Sequence, residues 1–219
     1  QRGYVQRRGS LVAFARPDAT PAPRSLPFRI VGAHTDSPGL RIKPRPDTGQ
    51  LGWRQLGIEV YGGILANSWL DRDLGVAGRI VLRDGTTTLV RIDRPIARVA
   101  QLAIHLDRDV NDRGLVLDRQ IHLTPVWGTG EAAPGDFATF VASSIAVDPA
   151  SIAAWELCLY DLTRAAVLGV DGSLLASGRL DNQVSCWAAV DALTRTHAHD
   201  HIGVVALFDH EEVGSESDI

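Results

Sequence analysis

The sequence predicts an α/β domain, built on a mostly parallel sheet flanked by helices and interrupted by a β-rich insertion. Three observations carry that expectation. Two short apolar runs, Phe28 to Ala33 and Gly203 to Phe208, each lead straight into polar, chemistry-bearing residues. Continuous rather than alternating runs are what strands covered on both faces look like, as in a parallel sheet. A helical stretch, Asn182 to Leu193, lies just before the second run, with Val184, Trp187, Ala188, Val190 and Leu193 near helical spacing. The middle of the chain reads differently, as short strands separated by turn signals.

Taken in order, Phe28 to Ala33 is a buried strand that delivers His34. Pro38, Pro44 and Pro46, with Asp47-Thr48-Gly49, then break the pattern. Arg79 to Arg83 and Thr87 to Ile92 flank Asp84-Gly85, a strong hairpin signal. Val99 to Leu106 and Gln120 to Val126 are further candidate strands. Phe137 to Val147 is apolar enough for a helix, with Asp136 as its cap, and stops before Asp148-Pro149. Trp155 to Tyr160 is a strand returning to the first domain. The helix from Asn182 follows, with Asp181-Asn182 able to cap it, and Gly203 to Phe208 ends at Asp209-His210-Glu211-Glu212. The economical division is 1–36 and 155–219 as one interrupted domain, with 37–154 inserted.

Composition excludes several classes. The 219 residues are 45% hydrophobic and 22% charged, which is a globular balance. Twenty-two basic against 26 acidic residues give a net charge of −4, so no positive excess exists to drive nucleic-acid or anionic-membrane binding. The apolar runs fall far short of the roughly 20 residues that cross a bilayer. Two isolated cysteines, Cys158 and Cys186, read as buried thiols in a reducing, cytoplasmic setting. The chain contains no methionine, not even at position 1, and reads as a piece of something longer.

In open α/β sheets, ligands sit beyond the carboxyl ends of the strands. His34-Thr35-Asp36 stands at one such end and Glu211-Glu212 at another. A metal-ligating imidazole usually gives its other N–H to a carboxylate, and H-x-D can supply it; taken alone, so short a pattern reads first as a plain turn with Asp36 capping the next segment. Adjacent glutamates repel unless a cation or proton is shared. One could ligate a metal while the other faces water as a general base, or both could belong to a polar loop. Asp181 reads either as a helix cap or as a carboxylate bridging two cations. One histidine with two or three carboxylates suits Zn2+, Mn2+ or Co2+. No phosphate-binding glycine loop, dinucleotide fingerprint or serine-nucleophile elbow is present, and the glutamate pair lacks HExxH spacing.

The segments VGAHTDSPGLRIKP, YGGILANSWLDRDLGVAGRI, RPIARVAQLAIHLDR, SGRLDNQVSC and ALFDHEEVGSES resemble the aspartyl aminopeptidase family of dinuclear metallo-aminopeptidases. They stand in that family's order from about residue 28 to the end. The resemblance implies that the interrupted domain is the peptidase domain and the insert a dimerisation domain. It implies two divalent ions, Zn2+ above all, with His34 and Glu212 as ligands and Asp181 bridging. Asp36 would orient His34, and Glu211 would be the general base. His105 would reach the active site of a neighbouring subunit, although by itself it reads as a core histidine in an apolar strand. The resemblance further implies peptides with N-terminal Asp or Glu as substrates, and dimers assembling into a tetrahedral dodecamer. The family's site needs a further Asp and His from beyond the HEEVGS segment, whereas this chain stops at Ile219, so it reads as C-terminally truncated. His197, His199 and His201 do not match those positions and read as a polar helix-to-strand connection. A deacylase or carboxypeptidase with the same elements, and a non-catalytic assembly fragment, are the rival readings.

Overall fold

The computed structural model describes residues 1–17, 26–197 and 200–214. Its elements run β1 (Arg2–Arg7), β2 (Ser10–Ala15), β3 (Phe28–His34), β4 (Gly39–Gln50), β5 (Trp53–Tyr61), β6 (Leu74–Leu82), β7 (Thr87–Ala97), α1 (Val110–Arg113), β8 (Val126–Thr129), α2 (Asp136–Ser144), β9 (Ile152–Asp161), β10 (Ala166–Leu168), β11 (Leu174–Ala176), α3 (Leu180–Arg195) and β12 (Ile202–Phe208). The chain divides into two units: Gln1–Ser37 with Val167–Ile219, and Pro38–Ala166.

In the first unit the sheet order is β1-β2-β12-β3. β12 pairs in parallel with β3 but antiparallel with β2, and β1 with β2 is an antiparallel hairpin. The α/β class therefore holds, while the sheet is mixed rather than mostly parallel. The N-terminal residues build that hairpin: β2 carries the apolar run Leu11 to Ala15, which a reading built on the three longer segments passes over, while β1 (RGYVQR) carries none. Side chains alternate across a strand, so Val205 and Leu207 share one face. On α3, Cys186, Ala189, Val190 and Leu193 recur at i, i+3, i+4 and i+7, which is one helical stripe. The two sets pack together, with Leu11 and Ala33, as this unit's core.

The second unit is a six-stranded sheet ordered β7-β6-β9-β4-β5-β8, with every pairing antiparallel. β9 corrects the expected boundary at 154. It pairs with β6 on one side and β4 on the other, so it lies inside the inserted sheet. Leu157 and Leu159 are fully buried there, and an apolar run alone cannot say which sheet buries it. Phe137 and Val141 of α2 complete the core, and Phe137 meets Trp155 edge-on at 5.7 Å between ring centroids. At the centre of β6, Gly78 has φ +150, and a Cβ there would come within 2.0 Å of the Glu156 carbonyl oxygen.

Several local expectations change for nameable reasons. The Asp84-Gly85 turn forms as expected, with Thr86 N–H donating to Asp84 Oδ1 at 2.8 Å. α2 is not capped by Asp136. Asp47, far away in sequence, accepts from Gly135 N–H and Phe137 N–H at 2.9 Å each. Residues 99–106 form no extended strand: Val99 makes one bridge, Gln101 N–H donates to Asp71 Oδ1 at 3.2 Å, and 104–106 form a turn. Residues 119–123 are turns, organised by Asp118 Oδ1 accepting from the N–H groups of Gln120 and Ile121, and the strand begins only at Val126.

Candidate metal centre

Every residue of the candidate site except His105 lies in the first unit. His34 is the last residue of β3 and pairs across the parallel ladder with Phe208, the last residue of β12. The two strands therefore end together and release their loops on the same edge. The ladder is extended one step further, where Thr35 N–H donates to Phe208 O at 2.7 Å. After β12 the chain passes Asp209, takes a left-handed step at His210 (φ 70) and enters a 3-10 turn, Glu211–Val213. Asp209 N–H donates to Ser10 Oγ at 2.9 Å, which ties this exit to the β1–β2 hairpin.

Asp36 joins the two loops. Its carboxylate accepts from Glu211 N–H at 3.2 Å and from Glu212 N–H at 3.1 Å. Its main-chain oxygen lies 3.1 Å from His34 Nδ1, closer than its carboxylate at 3.4 Å. A proton on Nδ1 satisfies that carbonyl and leaves the Nε2 lone pair free. Nε2 faces Asp181 Oδ1 at 3.5 Å and Glu211 Oε2 at 3.9 Å. His34 and Asp36 are nearly buried, at 12% and 7% side-chain exposure, whereas Asp181 at 86% and Glu211 at 54% are open to solvent.

His34, Glu211 and Glu212 each offer a ligand atom within 4.8 Å of the others. Four carboxylates thus surround one imidazole. Burial pushes the Glu212 carboxyl above its ordinary range; His34 pulls it down, while Asp36, Glu211 and Asp181 push it further up. A cation would relieve that crowding. A nearly buried imidazole with one nitrogen already engaged, facing carboxylate oxygens, is also a donor set that zinc accepts. The residues present therefore fit the metal.

Asp181 is not the helix cap that its position allowed. The N-terminus of α3 has no side-chain cap, Asp181 and Asn182 have non-helical backbone angles, and the peptide between them is cis. Its carboxylate is turned instead to His34. His105 lies in an exposed turn of the second unit, not in a core strand, beside exposed Leu102, Ile104 and Leu106. His201 pairs with Asp200, Nδ1 to Oδ1 at 2.6 Å, while His199 lies outside the described residues. Neither cysteine is in a disulfide: Cys158 is half-buried and Cys186 is buried.

Sequence reasoning missed the support for this centre. Gln183 Nε2 donates to Thr35 O at 2.8 Å, and Cys186 Sγ to His34 O at 3.0 Å. Thr35 Oγ1 donates to Gly9 O at 2.7 Å. A polar residue and a cysteine three apart, just after the Asp181-Asn182 pair, were the available signal.

Comparison with known proteins places this geometry in context. The sequence profile of the family described as aminopeptidase I zinc metalloprotease (M18) matches residues 1–219. A probable M18 family aminopeptidase 2 of Streptomyces avermitilis is 52% identical over 220 residues, covering 98% of this chain and 50% of the relative. Among solved structures, mApe1 of Chaetomium thermophilum aligns with a TM-score of 0.86 at 32% identity, covering 99% of this chain and 53% of that one. The mApe1 dodecamer of S. cerevisiae aligns with a TM-score of 0.78 at 23% identity, covering 99% and 51%. The chain spans about half the length of the curated relatives it matches.

Proposed function

The chain belongs to the M18 family of aminopeptidase I zinc metalloproteases, and on that premise we propose that it carries metal-binding and general-base residues of a zinc aminopeptidase. The observation that supports this most is the convergence of His34, Glu211 and Glu212 within 4.8 Å, with Asp36 behind both loops. His34 through Nε2, Glu212 and Asp181 would hold metal. Zinc, when bound, supplies Lewis acidity, polarising the scissile carbonyl and making water a stronger acid. Asp36 fixes the imidazole through its main-chain oxygen and fixes the glutamate turn through its carboxylate. Glu211, the more open of the pair, accepts the proton of the attacking water on a carboxylate oxygen and returns it to the leaving amine.

The finer reading rests on the family resemblance together with particular residues. Asp181, whose Oδ1 lies 3.5 Å from His34 Nε2, would help to hold a second divalent ion, Zn2+, Co2+ or Mn2+. A preference for N-terminal Asp or Glu follows from the resemblance alone. Homo-oligomerisation, to a dodecamer as in the yeast protein, agrees with the exposed apolar stretch around His105. Cysteines outside any disulfide agree with a cytoplasmic location. Among the described residues no helix is long and apolar enough to cross a membrane.

The test is metal content and turnover measured together. His34→Ala should lose zinc by elemental analysis. Glu211→Gln should keep zinc and lose at least about 100-fold in hydrolysis of an aspartyl anilide, the usual scale for a lost general base. An N-acetylated substrate should not be cleaved. Full activity in Glu211→Gln removes the base assignment, and equal cleavage of the acetylated substrate removes the aminopeptidase reading in favour of a deacylase or carboxypeptidase.

A further inference from the structure

The loop that carries His34 is held from a second direction. β3 is the edge strand of its sheet, so the ladder secures it on one side only, ending with Thr35 N–H on Phe208 O at 2.7 Å. α3 secures it from outside that ladder. Gln183 Nε2 donates to the Thr35 carbonyl at 2.8 Å, and Cys186 Sγ donates to the His34 carbonyl at 3.0 Å. Positions i and i+3 of a helix stand on one face, so two donors one turn apart meet two consecutive carbonyls. Gln183 is otherwise an exposed helix residue, and among the described residues this is its one side-chain hydrogen bond.

We infer that Gln183 is a positioning residue for the His34 metal ligand: its amide clamps the peptide after His34 and so sets the direction of the imidazole. This rests on the metal-centre reading above. Fixing the His34–Thr35 backbone fixes the Cα–Cβ vector of His34, and with it the place of Nε2 against Asp181 and Glu211. It also fixes Asp36, one residue further on, whose carboxylate holds the Glu211 and Glu212 amides. A thiol is a weak donor, so the carboxamide is the stronger of the two clamps. Outer partners of metal ligands commonly matter by roughly 10–100-fold in metal affinity.

The experiment uses the 219-residue chain and two variants. Gln183→Leu removes the donor at an exposed helix site where both residues have similar helix propensity. Gln183→Lys retains a donor of comparable reach. Two readouts are taken: amide hydrogen exchange in metal-free protein, and Co2+ affinity by competition with a chromophoric chelator. Gln183→Leu should speed exchange of the Thr35, Glu211 and Glu212 amides about tenfold, leave Val205 and Leu207 of β12 unchanged, and weaken Co2+ about tenfold. Gln183→Lys should restore most of both. Unchanged exchange at the three amides overturns the inference, as does equal acceleration in β12, which marks ordinary loss of stability. If the three amides respond but His34→Ala binds Co2+ as well as the parent chain, the clamp stands and the metal-centre reading falls.

Discussion

Replacing Asp36 by alanine should do more damage than replacing any other carboxylate of the site. Asp36 is 7% exposed, and its carboxylate receives two main-chain N–H groups at 3.2 and 3.1 Å. A hydrogen bond to a charged group contributes about 1.5–3 kcal/mol. Glu211 is open to solvent, so its N–H regains water and that bond counts at or below the lower end. Glu212 is half-buried, and its N–H loses more. The sum is about 2–4 kcal/mol. Against this, removing the Asp36 charge relieves its repulsion of the Glu212 carboxyl, which offsets part of that loss in metal-free protein. The net expectation is about 2–3 kcal/mol for Asp36→Ala. Asp36→Asn keeps one acceptor oxygen and the shape, and should cost about half as much. Since 1.4 kcal/mol is tenfold, β12 amides that open only with the first unit should exchange about 30- to 150-fold faster in Asp36→Ala. A loss below 1 kcal/mol, or an Asn variant as damaged as the Ala variant, would refute the claim that this carboxylate joins the two loops.

Four further outcomes follow from the same coordinates. Gly78→Ala should cost about 3 kcal/mol or more, because its Cβ would meet the Glu156 carbonyl at 2.0 Å in the middle of the six-stranded sheet; urea unfolding checks it, and a neutral result contradicts that packing. Asp47→Ala should cost about 1–2 kcal/mol by uncapping α2, seen as faster exchange of the Gly135 and Phe137 amides. In metal-free protein the raised Glu212 carboxyl means the folded state holds more protons than the unfolded one, so stability falls as pH rises through the window between about 4.3 and the raised value. Glu212→Gln should therefore stabilise the metal-free chain near neutral pH, with the advantage fading below that window in thermal melts. Under the proposed oligomeric arrangement, mixing His105→Phe with Glu211→Gln subunits should recover part of the activity that each lacks alone; no recovery counts against a role for His105 across an interface.

How much of this was legible in the sequence depends on whether the determining contact is local. The convergence of His34, Glu211 and Glu212 was legible because each stands at or just after the end of a strand, and a parallel pairing brings the two strand ends to one edge. The hairpin at Asp84-Gly85 was legible because its turn bond spans two residues. β9 was misplaced because Leu157 and Leu159 specify burial without specifying the partner sheet. The stretch from Val99 to Leu106 departs from expectation for the converse reason: its apolar residues suggest a strand, yet Leu102 and Leu106 are 60% and 74% exposed. An apolar segment left uncovered in one chain is consistent with a surface meant for another subunit. The α2 cap was misassigned to Asp136 because the true acceptor, Asp47, lies 88 residues from Gly135 and only the folded sheet brings it there. Asp181 shows the same logic at the site itself. Its position permitted either a cap or a shared ligand, and propensity favoured the cap. Non-helical backbone at 181 and 182 removes the cap and leaves the carboxylate facing His34. Where a local rule fails in an otherwise consistent chain, function is the first place to look for the cause.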